Sequence, residues 1–363
     1  MLAIINDPNN FKKLNGDIYK QIIKLERKNN RLVDKMVTDG IITSLQANSL
    51  KSRGSRPGVM YGLPKIHKQD VPMRPILSMS GSFNHSLSRY MVPVLAPLSR
   101  NEFTVHDSFE FVKEISLATN KNYTMASFDI KSLYTNVPVA ETCNIVLNKI
   151  FPSSDTSYEG FNKSLFEKVL NNYIENLFLF DGQTYEQIGG LPMGNCVSPV
   201  LANIFMCFHE QVWLDNCPIE FKPVMYRRYV DDTFLLFRHA SHVMLFHNYL
   251  NSQHSSIKFT YEIEKNNSIP FLDCNVTKNG SRFETSSYRK PTYSGLGLKF
   301  SSAVPDRYKF NLIDCLIDRA YKINSTVTTF CKELHRLKKF FSANGFNIFT
   351  VERQFSRKLD SIN

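Results

Sequence analysis

Apolar residues recur at helical spacing in several separate stretches of the chain. Residues 15–37 and 84–98 carry apolar stripes, and residues 161–180 predict a further helix that gives way to a short hairpin arm. From about Asp306 the chain is helical again, first in one helix and then in a second over residues 325–341. The pattern therefore predicts helices near both ends and within the middle.

Two segments of strand-like composition carry acidic residues at their ends. Residues 123–128 indicate a strand that ends on Asp129. Residues 226–237 alternate strand-forming residues around Asp231 and Asp232, which is typical of a hairpin with two acids at its tip. The sequence therefore places three carboxylates where strands end.

Proline and glycine mark the segments between these elements. The prolines in residues 61–76 forbid a helix and predict two strands joined by a loop. Residues 189–194 form a loop that cannot be helical. Ser198 as N-cap with Pro199 at the first helical position predicts a helix start, and this helix runs through about Trp213.

Length and composition limit the class of protein. The 363 residues suggest two or three domains at roughly 150 residues each. The hydrophobic content is 42% and the charged content 21%, as in folded proteins, and no long uncharged apolar stretch predicts a membrane span. The N-terminal apolar stretch is too short for a secretory signal, and seven cysteines without a CxxC pair argue against disulfides or structural zinc. We expect an intracellular protein, nuclear or cytoplasmic, that is neither secreted nor inserted in a membrane.

Charge is distributed unevenly along the chain. The net charge of +11 divides into −1 for residues 1–10, +9 for residues 11–74, −6 for residues 75–277 and +9 for residues 278–363. Basic flanks suit phosphate backbones, whereas a concentration of acids repels nucleic acid unless cations intervene. For either flank alone, a solvated basic surface is an equally good explanation.

The three aspartates suit one particular chemistry. Phosphoryl transfer to a 3′ hydroxyl uses two Mg²⁺ ions about 3.5–4 Å apart, and Mg²⁺ prefers oxygen ligands. Asp129 lies 102 residues before Asp231, and three carboxylates with one main-chain carbonyl would suffice from the protein. Taken alone, either acidic piece is more often an ordinary turn, because short acidic matches are common.

Seven motifs in order resemble those of reverse transcriptases, specifically those of Penelope-like retroelements, whose polymerase is related to telomerase. They lie at residues 61–68, 74–76, 128–138, 189–206, 229–232, 269–273 and 288–292. The resemblance implies an α+β right-hand polymerase with fingers, a ferredoxin-like antiparallel palm and a helical thumb. The implied domains are a basic helical extension (1–60), fingers (61–120), palm (121–292, with a fingers insertion around 140–190) and thumb (293–363).

The resemblance also implies a metal site. Asp129, Asp231 and Asp232 would be the catalytic metal ligands, with the Ile130 carbonyl completing one shell. They would hold two Mg²⁺ ions, for which Mn²⁺ can substitute.

The implied nucleotide site has five members. Lys65 and Arg74 match residues that grip the incoming triphosphate, and Tyr134 matches a steric gate against the ribose 2′ hydroxyl. Met193 and Gly194 match the loop behind the template, and the glycine would let the backbone approach the nascent base pair. After them, Asn195 and Cys196 stand where the family has Ser-Pro.

The implied contacts with primer and template lie near the C-terminus. They are Tyr288, Arg289 and Lys290 in the primer grip and Lys332, Arg336, Lys338 and Lys339 in the thumb. Such cations position a duplex without reading its sequence.

The resemblance predicts an RNA-directed DNA polymerase that extends a DNA primer on an RNA template with dNTPs. Two rivals remain: an RNA-dependent RNA polymerase on the same palm, against which Tyr134 argues, and a domesticated nucleic-acid-binding protein that has lost catalysis. A telomere-maintaining role is a third possibility. Many Penelope-like proteins carry a GIY-YIG endonuclease after the polymerase, but this chain has no such motif, so DNA cleavage is not predicted.

Overall fold

The protein, described here by a computed structural model, divides into two compact units. The structure describes residues 1–66, 70–153 and 156–361. Unit 1 comprises residues 1–104, 130–217 and 248–259, and unit 2 comprises residues 105–129, 218–247 and 260–363. Residues 67–69, the first two of which belong to the first predicted motif, lie outside the described part of the chain.

Helices and strands both contribute extensively to the described residues. The helices are α1 (Leu2–Ile5), α2 (Ile18–Thr38), α3 (Ser44–Leu50), α4 (His85–Leu95), α5 (Ser108–Leu117), α6 (Leu133–Asn136), α7 (Val139–Ile150), α8 (Lys163–Ile174), α9 (Ser198–Asp215), α10 (Ala240–Gln253), α11 (Asp306–Ile323), α12 (Val327–Ala343) and α13 (Ile348–Asp360). The strands are β1 (Phe11–Lys13), β2 (Gly58–Pro64), β3 (Met73–Ser78), β4 (Thr124–Ile130), β5 (Asn176–Phe180), β6 (Gln183–Gln187), β7 (Met225–Tyr229), β8 (Asp232–Phe237), β9 (Phe259–Ile263), β10 (Ser268–Phe271), β11 (Cys274–Asn279) and β12 (Arg282–Ser287). Within the described ranges, no helix is both long and apolar enough to cross a bilayer.

Unit 1 contains a five-stranded sheet in the order β1-β6-β5-β2-β3. Strands β2 and β3 form the antiparallel pair that the proline spacing predicts. Strands β5 and β6 form the predicted hairpin arm, whose tip residues Asp181 and Gly182 have φ of 49° and 70°. Left-handed conformations at both central positions match the twist of the flanking strands. Met60, Leu77 and Phe178 are buried on one side of this sheet.

Unit 2 contains a four-stranded sheet in the order β7-β8-β4-β9. Along the chain its strands follow the sequence strand, helices, two strands, helix and strand, which is the ferredoxin-like arrangement. A second sheet consists of β10, β11 and β12. Phe111 of α5 contacts Phe234 of β8 and Phe271 of β10 edge to face, with ring centroids 5.0 and 4.6 Å apart. The predicted α+β architecture with an antiparallel palm sheet is confirmed.

The last three helices of unit 2 pack around an apolar cluster of their own. Ile313, Leu337, Phe341 and Phe355 come from all three helices and are at most 2% exposed. Helices α11 and α12 confirm the two helices expected there. Helix α13 was not predicted from the sequence.

The predicted start of α9 is wrong in its detail. The helix begins at Ser198 with Val197 as N-cap, so Pro199 occupies the second helical position. The Ser198 hydroxyl donates a hydrogen bond to the Pro192 carbonyl at 2.7 Å instead of capping the helix. Pro199 is tolerated there because the first four N–H groups of a helix lack intrahelical partners.

Candidate active site

Two antiparallel strands of unit 2 bring the three predicted aspartates together. Asp129, near the end of β4, pairs directly with Asp232, the first residue of β8. Side chains in such opposite positions have Cβ atoms about 4.5–5.5 Å apart. Asp231 lies one residue earlier, in the turn between β7 and β8, and is exposed. The predicted carboxylates therefore form one cluster at a sheet edge.

Burial and like charge strongly perturb one member of this cluster. Burial is the main cause that raises the pKa of Asp232 to about 7, and the nearby charges of Asp129 and Asp231 contribute to the rise. A hydrogen bond from the Leu272 backbone and the charge of Lys290 act in the opposite direction on this pKa. Near neutral pH the like charges of these carboxylates repel one another, so a bound cation would stabilise the cluster.

The donor chemistry of the cluster suits Mg²⁺. Carboxylate oxygens are the ligands that Mg²⁺ prefers, and the ion keeps waters and phosphates in the rest of its shell. Ile130 ends β4 and is 1% exposed, and its proposed metal contact is by the carbonyl alone.

The Leu272 backbone is a site component that the sequence did not identify. Phe271 pairs with Cys274, so Leu272 and Asp273 are the central residues of the tight turn between β10 and β11. Leu272 has a left-handed φ of 55°, which is rare for a bulky residue. An apolar side chain gives no sign in the sequence that the backbone N–H of the same residue is a donor at a site.

Two predicted nucleotide-binding residues lie close along the β2-β3 hairpin of unit 1. Arg74 on β3 pairs with Leu63 on β2 and is exposed. Lys65 follows β2, is half-buried, and its backbone N–H donates to the Pro72 carbonyl at 2.9 Å. The structure therefore brings both cations to the same end of the hairpin.

The predicted loop 189–194 forms backbone hydrogen bonds with two other segments of unit 1, at Tyr134 and at β3. Leu191 N–H donates to the Tyr134 carbonyl at 2.6 Å, and Leu77 N–H donates to the Met193 carbonyl at 2.8 Å. At Gly194, φ is 135° and a Cβ atom would collide with the Leu77 carbonyl. Glycine is therefore required here for packing against β3, and its approach to a base pair stays a prediction.

The three primer-grip residues have different surroundings. The Arg289 guanidinium forms a two-pronged ion pair with Glu333 of α12, one prong being Nη1 to Oε2 at 2.9 Å. Tyr288 N–H donates to the Asp273 carbonyl at 2.8 Å. Lys290 is exposed and acts on Asp232 electrostatically. Lys290 is thus available to a ligand, whereas Arg289 is engaged within the protein.

The four thumb cations divide in the same way. Arg336 contacts Glu333 at 3.4 Å, and Lys338 contacts Glu352 at 3.3 Å. Lys332 and Lys339 are exposed, and neither forms an ion pair with any described residue. Lys332, Arg336 and Lys339 share one face of α12 because they are spaced by three and four residues. His335, which was not predicted, lies on that exposed face as well.

A second cluster of potential metal ligands lies in unit 1. Glu141 accepts hydrogen bonds from the Nε2 atoms of His209 and His254 at 2.9 and 3.2 Å. Ser256 N–H donates to His254 Nδ1 at 3.1 Å, so a neutral His254 carries its proton on Nε2. A metal-ligating histidine instead donates from its other nitrogen. We therefore interpret this trio as a hydrogen-bonded bridge between helices, in which burial lowers the pKa of His209.

Family models match two parts of the chain. More than half of the chain, residues 66–270, matches the family model described as reverse transcriptase (RNA-dependent DNA polymerase). Residues 296–356 match the model described as animal helix-turn-helix domain. No curated protein sequence matches the chain.

Two solved structures share the fold. Telomerase from Candida albicans, in complex with the TWJ fragment of telomeric RNA, is 13% identical with a TM-score of 0.60, over 98% of this chain and 62% of that chain. The Sicinivirus 3Dpol RNA-dependent RNA polymerase is 11% identical with a TM-score of 0.53, over 92% of this chain and 70% of that one. The chain spans 62% of the telomerase chain's length.

Replacement of Asp232 by Asn should change how stability depends on pH. Because the folded-state pKa of Asp232 is raised to about 7, the folded protein binds more protons than the unfolded chain between about pH 4 and 7. The resulting contribution to the free energy of unfolding is fully present below the unfolded-state pKa and is lost as the pH rises through the folded-state pKa. In metal-free wild type we expect the free energy of unfolding to fall by an amount on the order of a few kcal/mol. Asp232→Asn should not show this fall.

Urea unfolding in EDTA at pH 5.5 and 8 would measure this difference. Asp181→Asn, at an exposed turn of unit 1, is the matched control and should behave as wild type. Equal pH slopes for wild type and Asp232→Asn would contradict the assignment of the raised pKa.

Proposed function

The chain belongs to the reverse transcriptase family, and we propose that it is an RNA-directed DNA polymerase that extends a primer 3′ hydroxyl with dNTPs. The observation that supports this most is the carboxylate cluster, with Asp129 and Asp232 on paired strands, Asp231 in the adjoining turn and the pKa of Asp232 raised to about 7. Perturbed carboxylates of this kind concentrate at functional sites.

We assign the metal-holding role to these three aspartates and the Ile130 carbonyl. Two Mg²⁺ ions bound there would activate the attacking 3′ hydroxyl and stabilise the leaving pyrophosphate. The contribution of the protein is to fix the carboxylates on rigid strands and to limit their protonation through the Leu272 amide and Lys290.

The residues of unit 1 would bind the incoming nucleotide. Lys65 and Arg74 would bind the triphosphate, because a bidentate guanidinium and a lysine point charge both complement phosphate oxygens. The Tyr134 ring would exclude a ribose 2′ hydroxyl and so favour deoxynucleotides. The hydrogen bonds of loop 189–194 support the position of Tyr134 relative to β3.

The C-terminal helices of unit 2 would contact the template and primer. Lys290, Lys332 and Lys339 are exposed and would contact phosphates, and such contacts position a duplex without reading its bases. The match of this region to a helix-turn-helix model supports nucleic-acid binding.

We further propose that the chain derives from a Penelope-like retrotransposon and acts inside the cell. The order of its seven motifs supports the origin, and so does the fold shared with telomerase. The scattered cysteines without CxxC pairs fit a reducing compartment, nuclear or cytoplasmic.

DNA synthesis by the purified protein is the direct test of the proposed activity. Purified protein with Mg²⁺, an RNA template and a DNA primer should incorporate dNTPs, and Asp231→Asn should abolish incorporation because it removes a metal carboxylate. Primer extension on a gel measures both. Duplex binding without any extension by wild type would instead favour the inactive nucleic-acid-binding protein.

The choice between ribonucleotides and deoxynucleotides tests the proposed role of Tyr134. Tyr134→Ala should raise the use of ribonucleotides relative to deoxynucleotides by at least about tenfold, because the ring no longer blocks the 2′ hydroxyl. Competing the two nucleotide types in one extension reaction gives the ratio. Tyr19→Ala, at an exposed position of α2, is the control. Equal use of both types by wild type would favour the RNA polymerase alternative.

The salt dependence of primer–template binding tests the proposed role of Lys332 and Lys339. Lys332→Ala with Lys339→Ala should weaken binding uniformly across sequences and reduce the slope of log affinity against log salt by about two, since two phosphate contacts are lost. Fluorescence anisotropy at salt concentrations from about 50 to 300 mM measures this slope.

The matched control for this experiment is Arg357→Ala with Lys358→Ala. These two cations of α13 form ion pairs with Asp314 and Asp318 of α11, so their removal should leave the salt slope unchanged. An unchanged slope in the Lys332 and Lys339 variant would remove them from the duplex contact.

A further inference from the structure

The turn that carries Asp231 has an unusual backbone. Tyr229 pairs with Asp232, which leaves Val230 and Asp231 as the two central residues of a tight hairpin. Val230 has a φ of 57°. Hairpins with a left-handed first central residue strongly prefer glycine there, and a β-branched residue in that conformation is a genuine outlier. Some other interaction must therefore hold this turn.

A buried arginine makes the interaction that the turn needs. Arg228 on β7 is 0% exposed, and its Nη1 donates a hydrogen bond to the Val230 carbonyl at 3.0 Å. The Arg228 backbone is itself fixed, because its carbonyl accepts a hydrogen bond from Val105 N–H at 2.9 Å. A fully buried guanidinium is costly unless its donors are used, so this bond is a specific feature of the site.

The bonded carbonyl belongs to the peptide unit that joins Val230 to Asp231. Because a peptide unit is planar, holding its oxygen fixes the direction in which the chain enters Asp231. Without the bond, Val230 would relax towards negative φ, and this peptide unit would rotate. The carboxylates of Asp231 and Asp232 would then change position relative to Asp129.

We propose that Arg228 is a positioning residue for the metal carboxylates, acting through the strained Val230 turn. The proposal deepens the proposed function and rests on it for the role of the carboxylates. It differs from a general structural role in one respect: the need for Arg228 should disappear when residue 230 is glycine, which adopts positive φ without strain.

A four-protein cycle tests the proposal: wild type, Arg228→Met, Val230→Gly and the double variant. The first readout is Mn²⁺ affinity of the free protein by calorimetry, and the second is the melting temperature by circular dichroism. We expect Arg228→Met to weaken Mn²⁺ binding about 10–100-fold, as for other groups that orient metal ligands. Val230→Gly should restore most of that affinity in the double variant, and alone it should not lower the melting temperature.

The neighbouring Arg227→Met is the matched control. Arg227 is partly exposed and pairs with Glu114, Nε to Oε1 at 2.7 Å, so its loss should leave Mn²⁺ affinity near that of wild type. Wild-type affinity in Arg228→Met would overturn the proposal, and so would a loss that Val230→Gly fails to restore.

If Arg228→Met does not fold, Arg228→Lys takes its place in the cycle, alone and combined with Val230→Gly. A lysine variant that stays unfolded even with glycine at 230 would show that Arg228 serves folding alone, against the proposal. Primer extension separates the two hypotheses. No extension by wild type, with Mn²⁺ affinity that still follows the cycle, would reject only the proposed function, whereas extension with affinity indifferent to Arg228 would reject only the positioning role.

Discussion

Mutual repulsion between carboxylates on adjacent strands is the constraint on which the centre of unit 2 depends. Asp129 and Asp232 are exact cross-strand partners in the register of β4 and β8, so neither can move away without disturbing the sheet. Opposed like charges destabilise a strand pair, and burial adds to the cost at Asp232. The fold tolerates this arrangement because nearby backbone and cations offset part of it. The Leu272 amide and Lys290 do so directly.

Two bulky residues in left-handed turns lie beside this cluster, Val230 at one hairpin and Leu272 at the next. Backbone strain of this kind costs about 1–3 kcal/mol per residue and persists only where the surroundings hold it. The large aromatic core formed by Phe111, Phe234 and Phe271 is such a surrounding. Packing energy distributed over unit 2 thus maintains an unfavourable local geometry at its carboxylate edge.

The sequence predicted the β2-β3 pair, the strand that ends near Asp129 and the hairpin around Asp231 and Asp232, because alternation and turn residues are local signals. It failed where the determinant was a tertiary contact. Ser198 looked like an N-cap, but its hydroxyl bonds to the Pro192 carbonyl. Arg228 is buried, and nothing local in the sequence shows it. Helix α13 was also not predicted, although Asn347 caps its first turn and Val351 and Phe355 lie one turn apart on its buried face.

The ion pair between Arg289 and Glu333 has a consequence for how such chains can diverge. Glu333 is almost fully buried, and loss of Arg289 would leave its carboxylate only the longer contact with Arg336 at 3.4 Å, at a cost of up to about 3–5 kcal/mol. Replacing both by apolar residues costs far less. Among related chains these two positions should therefore covary, changing together or not at all, although 44 residues separate them in sequence.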